Sequence, residues 1–562
     1  MIGVANFVVM ILSFMKTAHF RLAAVSLEDR TMKRLRRRGN YRTSYQGGFA
    51  YVLALILLTL FTTLSLAFMS ETNLNLQKSK NTCSAMAARL AAESGLSFAL
   101  NILKDLQSEG CWEGQPDMLQ VTYEYLSDKL NDTPNTHGVP VTSSSGAIFT
   151  PQISLGEGAG SFSFIITKID DNTLRLLVTG FSGSYRRQLA VNLRVNEDER
   201  VLYYSVASRS RVIITDNAVI DGDVCSTWDR TRIGSYDIPP ILMEPGTRVN
   251  GKVITTLSKS EFDQYGSGDY IEGEHEGIVY DEPEFARYTT DDFDTSEYKV
   301  GTVDITTLDP PDYWLIDDPF PDISKIRRRI DRPVYENRTF DNIYIPVGYN
   351  PKFINCTFKR ITYIDTDETK TLDEWSHNFY HEHAIPGREY YSDDPENEYS
   401  NNVIFENCTF EGPIITAVPR DYWWSKNALT FEGTTTFTNI YMPESTILAP
   451  NFGVDIGGRG YDGEENPDSK LTGIVVGGIV DIRGTANIEG TILSMYYPDT
   501  DRGAAARYYG TNIGYYNDGG EAGDSGIPGN IRIVPHPDYK LPFGIRKRYT
   551  LTVIPESYEE VK

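Results

Sequence analysis

The sequence predicts a mainly β protein with one long N-terminal α-helix, a small antiparallel sheet and a right-handed parallel β-helix. Three observations support this fold class. Residues 49–107 contain no proline and begin with a long apolar run. Residues 161–195 alternate apolar and polar side chains around two turn signals. Beyond residue 205, short apolar strands recur, separated by glycine, threonine or asparagine bends.

Length and charge limit the classes of function. The 562 residues are too many for one ordinary core, so several folded units are expected. The net charge of −24 is uneven, because residues 1–48 carry +7 and the remainder carries −31. An acidic body of this size repels phosphate, which argues against nucleic acid as a partner. The five cysteines include no Cys-x-x-Cys pair and do not fix the compartment.

Residues 49–107 indicate one helix of about 60 residues, half in lipid and half in water. The run from Phe49 to Met69 carries no charge and is long enough for the roughly 30 Å of a bilayer core. Good helix formers dominate the stretch after it. Basic residues before the helix place the N-terminus in the cytoplasm and the bulk of the chain across the membrane. These residues are Lys33, Arg34, Arg36, Arg37, Arg38 and Arg42.

This N-terminal segment resembles type IV pilins and the pseudopilins of type II secretion. The resemblance lies in the basic leader, in Gly48 followed by Phe49, and in the run ARLAAESGLSFAL at 88–100. That run is similar to PilX-like minor pilins and the large K-type pseudopilin. The resemblance implies that a prepilin peptidase cuts between Gly48 and Phe49, and that Phe49 becomes an N-methylated first residue. It further implies a single-pass inner-membrane subunit that contacts other pilin-like subunits, in the membrane or in a filament.

One position departs from the family pattern. Most pilins carry Glu at the fifth mature position, where it pairs with the amino terminus of a neighbouring subunit, but here that position is Leu53. K-type pseudopilins share this loss, which suits a filament tip or a priming complex. Met32 opens an ideal leader, so we expect translation to start there; the alternative is that residues 1–31 form an extra amphipathic piece. An uncleaved anchor is the alternative to processing.

The rest of the chain indicates a linker, a sheet and a repeat. Residues 108–160 indicate a loop-like linker, and 161–195 a three-stranded meander that packs on the long helix. Large acidic, Tyr-rich loops are expected to leave the β-helix at 262–340, 363–400 and 496–528. An antiparallel sandwich is the alternative to the β-helix. The predicted units are the leader 1–48, the helix 49–107, the linker and sheet 108–200, and the β-helix 201–562.

Recurring segments carry the β-helix prediction. The same offsets of 0, 6, 8 and 10 residues recur from Ile214, Met243, Phe431 and Ile482. FINCTF at 353–358 and FENCTF at 405–410 form a near-identical pair. Stacking on adjacent rungs about 4.8 Å apart would align Cys356 with Cys408 as free, buried thiols. It would also align Asn355 with Asn407 in the bends, and force the chain between the copies to loop out.

No catalytic or cofactor site is predicted. β-Helix enzymes need paired carboxylates, or aspartate clusters that hold calcium beside a basic residue, on one face of successive rungs. The aspartates here lie in the inserts and indicate solvated loops: Asp291, Asp292, Asp294, Asp393 and Asp394. The sequence therefore favours a non-catalytic subunit. The alternatives from other classes are a membrane-anchored carbohydrate-active β-helix enzyme and a surface adhesin.

Three segments are weaker binding candidates. HNFYHEH carries His377, His381 and His383, but it fixes no fourth ligand, so an exposed polar loop is expected rather than a metal site. The acidic runs at 365–369 and 462–468 leave calcium binding open but lack the EF-hand spacing. Tandem tryptophans in DYWWSK, 421–426, are expected to cap a rung; a surface contact for a glycan or protein is the alternative.

Overall fold

The computed structural model divides into two units between residues 87 and 88. The described residues are 46–112, 114–156, 159–229, 232–233, 236–264, 270–308, 312–313, 333–371, 399–423, 426–442, 445–457, 468–498, 510–514, 530–536 and 539–561. Their α-helices are α1 (Gln46–Lys104), α2 (Met118–Leu130) and α3 (Lys259–Gln264). Short 3-10 helices span Pro134–Thr136, Arg200–Tyr203, Glu284–Arg287, Thr290–Asp292, Ser296–Lys299 and Ile305–Thr307.

The long helix is present as predicted. Helix α1 is continuous over 59 residues. Its most apolar 18-residue window has a mean hydropathy of 2.4 and no buried part, so its length and composition suffice to cross a membrane.

A small antiparallel sheet follows the helix and confirms the predicted meander. Its strands are β1 (Thr142–Ser144), β2 (Ala147–Phe149), β3 (Ile153–Ser154), β4 (Ser161–Asp170), β5 (Thr173–Ser182), β6 (Tyr185–Glu197) and β34 (Tyr549–Val561). The strand order is β1-β2-β4-β5-β6-β34, with β3 paired to β4. Turns at 171–172 and 183–184 join the three long strands, and Phe162, Phe164 and Ile166 alternate into the core.

The C-terminal part of α1 packs on this sheet through small residues. Ala88, Ala91, Ala92 and Ala99 are fully buried. A Cβ added to Gly180 of β5 would lie 2.2 Å from the Ala88 carbonyl oxygen, so only glycine permits this close approach. The predicted packing of the meander on the apolar helix face is therefore present within residues 88–562.

Residues 108–160 are not the loop-like linker that the sequence predicted. They contain α2 and the short strands β1 to β3. The Asp117 side chain caps α2 by accepting a hydrogen bond from the Leu119 amide at 3.2 Å. Met118, Leu126 and Leu130 of α2 are buried in the same core as the sheet. Tertiary packing of one apolar face thus stabilises a short helix among many loop-forming residues.

The sheet also takes its edge strand from the end of the chain. Strand β34 pairs antiparallel with β6, from Tyr549 opposite Glu197 to Val561 opposite Gln188. The prediction assigned all of 201–562 to the β-helix, but 549–561 belongs to the small sheet. The β-helix is therefore an insertion between two neighbouring strands of that sheet.

The β-helix is built from three columns of parallel strands, as predicted. Pairs such as Phe353–Phe405, Phe358–Phe410 and Thr362–Ile414 define the columns and are parallel, which excludes the antiparallel sandwich. Its strands are β7 (Tyr204–Ser208), β8 (Arg211–Ile214), β9 (Val219–Asp221), β10 (Asp223–Ser226), β13 (Ile241–Met243), β14 (Arg248–Thr255), β15 (Glu274–Tyr280), β16 (Val303–Asp304), β18 (Pro333–Glu336), β19 (Thr339–Ile345), β20 (Lys352–Ile354), β21 (Thr357–Ile364), β22 (Asn402–Glu406), β23 (Thr409–Phe410), β24 (Ile414–Thr416), β25 (Ala428–Glu432), β26 (Thr435–Phe437), β27 (Ser445–Ile456), β28 (Asp468–Thr472), β29 (Ile474–Ile482), β30 (Thr485–Glu489), β31 (Ile492–Ser494), β32 (Gly510–Ile513) and β33 (Asn530–Val534). Outside these columns, β11 (Arg232–Ile233) pairs antiparallel with β12 (Tyr236–Asp237), and β17 (Asp312–Tyr313) pairs antiparallel with β18.

The chain enters this stack in its middle. Strand β7 pairs on one side with β10 and on the other with β31. The first rungs run from β7 to β15 at one end. The chain then continues at the opposite end of the stack with β16, β18 and β19. From there, successive rungs lead back to the middle, where β31, β32 and β33 pair with β7, β8 and β9.

Residues 281–308, called the crossing segment below, follow β15. They lie on the outside of the third column, which is the column that contains Thr362 and Ile414. The prediction placed residues 262–340 in a loop that leaves the rungs, but β15 and β18 are themselves rung strands. Within the crossing segment, Phe285, Tyr288, Phe293 and Tyr298 are buried against outward residues of the third column such as Leu448. The aromatic residues of this acidic segment therefore form a second core, outside the coil.

The two NCTF copies stack as predicted. Phe353 pairs with Phe405 and Thr357 with Thr409, so Cys356 and Cys408 lie on adjacent rungs. Both thiols are free and buried. Asn355 and Asn407 adopt left-handed conformations with φ of 50° and 55°, which asparagine tolerates better than most residues.

Candidate functional site

The exposed apolar part of α1 is the first candidate site. Its threonine hydroxyls bond within the helix: Thr59 Oγ1 donates to the Ile56 carbonyl at 2.9 Å, Thr62 Oγ1 to the Leu58 carbonyl at 2.8 Å and Thr63 Oγ1 to the Thr59 carbonyl at 3.0 Å. These bonds remove the cost of placing a free hydroxyl in hydrocarbon. The segment can therefore partition into lipid or pack against other apolar helices.

The predicted processing residues lie at the start of this helix. Gly48 and Phe49 fall within the bounds of α1, which begins at Gln46. Leu53, the fifth residue after the predicted cut, is exposed on the same helix. Cleavage and methylation stay predictions.

The predicted histidine cluster lies outside the described residues. His377, His381 and His383 belong to 372–398, as do Asp393 and Asp394, and 462–467 of the second acidic run is likewise outside. Within the described ranges, no group of three or more His, Cys, Asp or Glu side chains is placed to hold a metal ion.

The acidic run at 365–369 is occupied by protein donors. Asp365 accepts hydrogen bonds from Lys299 Nζ at 2.7 Å and from the Tyr344 hydroxyl at 2.6 Å. Asp367 accepts from the Thr369 hydroxyl at 2.7 Å, and this bond lowers the pKa of Asp367. Both carboxylates therefore stabilise the local structure of the protein through hydrogen bonds to its own side chains.

The prediction that the aspartates of the inserted loops are exposed to solvent is wrong for Asp292. It is only 3% exposed, whereas Asp291 beside it is exposed. Its carboxylate accepts from the Thr289 amide at 2.9 Å and from Arg548 Nη2 at 3.2 Å. The pairing with a cation compensates the cost of burying the charge.

A second buried ion pair stands where the small sheet continues into the β-helix. Arg200 donates to both oxygens of Asp198, at 2.8 and 2.7 Å, and to Glu284 at 2.9 Å. The hydrogen bond to Asp198 raises the pKa of Arg200. Tyr204 donates its hydroxyl to Glu284 at 2.7 Å, and burial raises the pKa of Tyr204. This network ties the crossing segment to the first rung.

The aromatic segment 421–426 is partly internal. Tyr422 is buried and packs against Tyr496 with ring centroids 4.4 Å apart, whereas the capping role of the tandem tryptophans stays a prediction. Trp423 is half-buried, and Trp424 lies outside the described residues.

Paired carboxylates on one face of successive rungs do occur, at positions that sequence reasoning missed. Asp455 pairs in register with Asp481. Asp481 accepts a hydrogen bond from Asn512 Nδ2 at 2.6 Å and lies 3.8 Å from Arg483. The signal was a repeated Val-Asp-Ile, at 454–456 and 480–482. A general acid or base requires a carboxylate free to exchange protons with substrate, whereas Asp481 is engaged by protein donors.

Comparisons with known proteins add little to these observations. No protein-family model and no curated protein matches the chain. Among solved structures, the competence-associated pilin ComZ from Thermus thermophilus is 10% identical, with 85% of this chain and 97% of that chain covered and a TM-score of 0.25. A glycosylated ice-binding protein from an Arctic yeast is 8% identical, with 61% and 97% covered and a TM-score of 0.19. TM-scores this low establish neither a common fold nor a common function.

Proposed function

We propose that this chain is a non-catalytic, pilin-like subunit, held in the inner membrane by α1 and presenting its β-helix outside the cytoplasm. The observation that carries the proposal is α1 itself. A simple anchor needs about 20 residues to span a bilayer, but this helix continues for 59. Its first part is apolar and unburied, and its last part is packed on an antiparallel sheet.

The physical mechanism of assembly is that the apolar part of α1 exchanges contacts with lipid for contacts with other helices. Residues 51–69 partition into lipid and then leave it for the apolar helices of other pilin-like subunits. With Leu53 at the fifth mature position, this subunit lacks the carboxylate that would pair with a neighbour's amino terminus. We therefore propose a place at a filament tip or in a priming complex, in a type IV pilus or a type II secretion-like machine.

Two features support a non-catalytic role. Acidic side chains such as Asp292, Asp365 and Asp481 are engaged by protein donors. The β-helix fold alone implies no chemistry, since it is used by proteins of many functions. The proposed partners are accordingly the membrane, a prepilin peptidase and other pilin-like subunits, with a surface glycan or protein as a further ligand class.

Processing tests the proposal most directly. The full chain is expressed together with a prepilin peptidase, and the N-terminus of the membrane-bound protein is identified by mass spectrometry. We expect a mature protein that begins at Phe49 and bears a methylated amine. Gly48→Val should leave the leader attached, whereas Gly47→Val, one residue upstream, should be cut normally. An intact leader on the wild-type protein would refute the proposal in favour of an uncleaved anchor.

A further inference from the structure

Two of the five cysteines are neighbours across the stack of rungs. Cys356 and Cys408 follow equivalent bends on adjacent rungs, and hydrogen bonds join these rungs on either side of the pair. The Asn355 amide donates to the Glu406 carbonyl at 2.9 Å, and the Thr409 amide donates to the Cys356 carbonyl at 2.9 Å. The backbones are therefore spaced as in paired strands, about 4.8 Å apart, which lies within the Cα separations that a disulfide spans.

The two side chains also approach each other. The Cys408 thiol donates to the Phe353 carbonyl at 3.6 Å, and Phe353 belongs to the rung of Cys356. A hydrogen bond from the Cys408 thiol lowers the pKa of Cys356, whereas burial raises the pKa of Cys408. Within this pair Cys356 is therefore the thiol that more readily becomes a thiolate, which is the form that attacks a disulfide.

The other three cysteines, which the structure also describes, provide a contrast. Cys225 is as deeply buried, but its register partners on the neighbouring rungs are Ala207 and Ile254. Cys83 lies on the exposed part of α1, and Cys111 lies between α1 and α2. Neighbouring register positions thus bring two thiols together at 356 and 408, and they do not do so for the buried thiol at 225.

We propose that Cys356 and Cys408 are joined by a disulfide in the mature protein. The free thiols of the structure are the reduced form of this pair. The inference rests on the proposed function in one respect, because it places the β-helix outside the cytoplasm, where thiols are not kept reduced. The oxidant is the disulfide of a thiol oxidoreductase, which acts while these rungs are still open.

The bond forms by two exchange steps. The Cys356 thiolate attacks one sulfur of the oxidant, whose S–S bond breaks to leave one thiol and a mixed disulfide. Cys408 then gives up its proton and attacks the Cys356 sulfur, which releases the second thiol of the oxidant. The chain loses two protons and two electrons, and the oxidant gains both electrons as its disulfide becomes two thiols.

The disulfide closes a long ring. Its two cysteines are 52 positions apart in the sequence, so the ring contains β21, β22 and the insert between them. A cross-link over this distance removes conformational freedom from the unfolded chain, and the effect grows with the length of the ring. The disulfide therefore stabilises the two rungs from which the long insert leaves the β-helix.

Mass spectrometry tests the pairing in two arms. In the first, the full chain is expressed in cells that have an extracytoplasmic dithiol oxidase. In the second, the purified and reduced full chain in detergent is incubated with oxidised glutathione, at a denaturant concentration below the unfolding transition. Remaining thiols are then blocked with N-ethylmaleimide under denaturing conditions, and the protein is digested. We expect both arms to yield one linked pair of peptides, containing Cys356 and Cys408 and two hydrogens lighter than their sum, with Cys225 blocked.

Two variants separate the cross-link from packing. In Cys408→Ala, Cys356 should be recovered blocked by N-ethylmaleimide, whereas Cys225→Ala, which removes a buried thiol without a neighbour, should keep the linked peptides. Dithiothreitol should lower the midpoint of thermal unfolding of the wild type from cells by several degrees. It should leave the midpoint of Cys408→Ala unchanged, since any packing defect in that variant is present with and without reductant.

The outcomes distinguish this proposal from the proposed function. A link that forms with glutathione but not in the cell supports the pairing and contradicts the extracytoplasmic location of the β-helix. The pairing is wrong if neither arm yields the linked peptides, or if Cys356 or Cys408 is instead linked to Cys83 or Cys111.

Discussion

At the scale of single residues, Asp292 differs most from what its neighbours in the sequence suggest. It stands in an acidic run of exposed side chains, yet it is buried against Arg548, 256 residues away. A sequence pattern cannot indicate this pairing, because the cation arrives from the other end of the inserted domain. By contrast, Cys356 and Cys408 were predictable, since identical local sequences on equivalent rungs create identical surroundings.

Removing the charge of Asp292 should therefore be costly. Asp292→Asn leaves the partly buried Arg548 without its counter-charge, and we expect the free energy of unfolding to fall by about 2–4 kcal/mol. Asp291→Asn, at the adjacent exposed position, should change it by less than about 0.5 kcal/mol. Urea unfolding of both full-length variants, followed by tryptophan fluorescence, measures the difference. Equal effects of the two substitutions would show that the buried pair contributes nothing.

At the scale of elements, the sequence predicted the strands of the β-helix, because their stabilising contacts repeat from one rung to the next. The apolar offsets from Ile214 and from Met243 stack in register, because each rung buries its side chains against the next. Helix α2 and the packed crossing segment were missed because their apolar residues are buried by distant elements, not by a repeat. Composition there indicated loops, and tertiary contacts determined the structure.

Glycines at the bends between strands allow adjacent rungs to pack closely. Gly490 lies against the neighbouring rung so closely that an added Cβ would sit 1.9 Å from the Gly473 carbonyl oxygen. Gly490→Ala must therefore push two backbones apart, and we expect a loss of about 3 kcal/mol or more of unfolding free energy. Gly277, in the terminal strand β15, has nothing within 4 Å of an added Cβ, so Gly277→Ala is the matched control. Thermal unfolding of the two variants should separate them clearly, and coinciding curves would contradict the close stacking of these rungs.

At the scale of the whole molecule, the insertion of the β-helix into the sheet was not predictable from the sequence. The contacts that reveal it join residues far apart in the chain: the Asn192 amide donates to Ser557 Oγ across 365 residues. A strand pattern in Tyr549 to Val553 is visible, but nothing local identifies β6 as its partner. The pairing of β7 with β31 is equally remote. Such contacts carry a loop-closure entropy cost that local sequence patterns do not reflect.

The insertion makes the sheet separable from the β-helix. The two connections between them lie side by side, since the Asp198 amide donates to the Arg548 carbonyl at 2.7 Å and Glu197 is the register partner of Tyr549. The helix and sheet also have a core of their own, distinct from the cores of the β-helix. A chain in which Asn-Gly replaces residues 198–548 should therefore close β6 and β34 into a two-residue hairpin.

We expect this shortened chain to retain a folded sheet, with Leu551 still buried opposite Val195. Amide hydrogen exchange should show protection in both strands of the new hairpin, at a stability lowered by loss of the Asp198 and Asp292 ion pairs. A second chain that ends at Glu197 is the control. It lacks β34, exposes the edge of β6 and should aggregate or lose protection there. If the hairpin chain behaves like this control, the sheet depends on the β-helix for its fold, and the two form one cooperative unit.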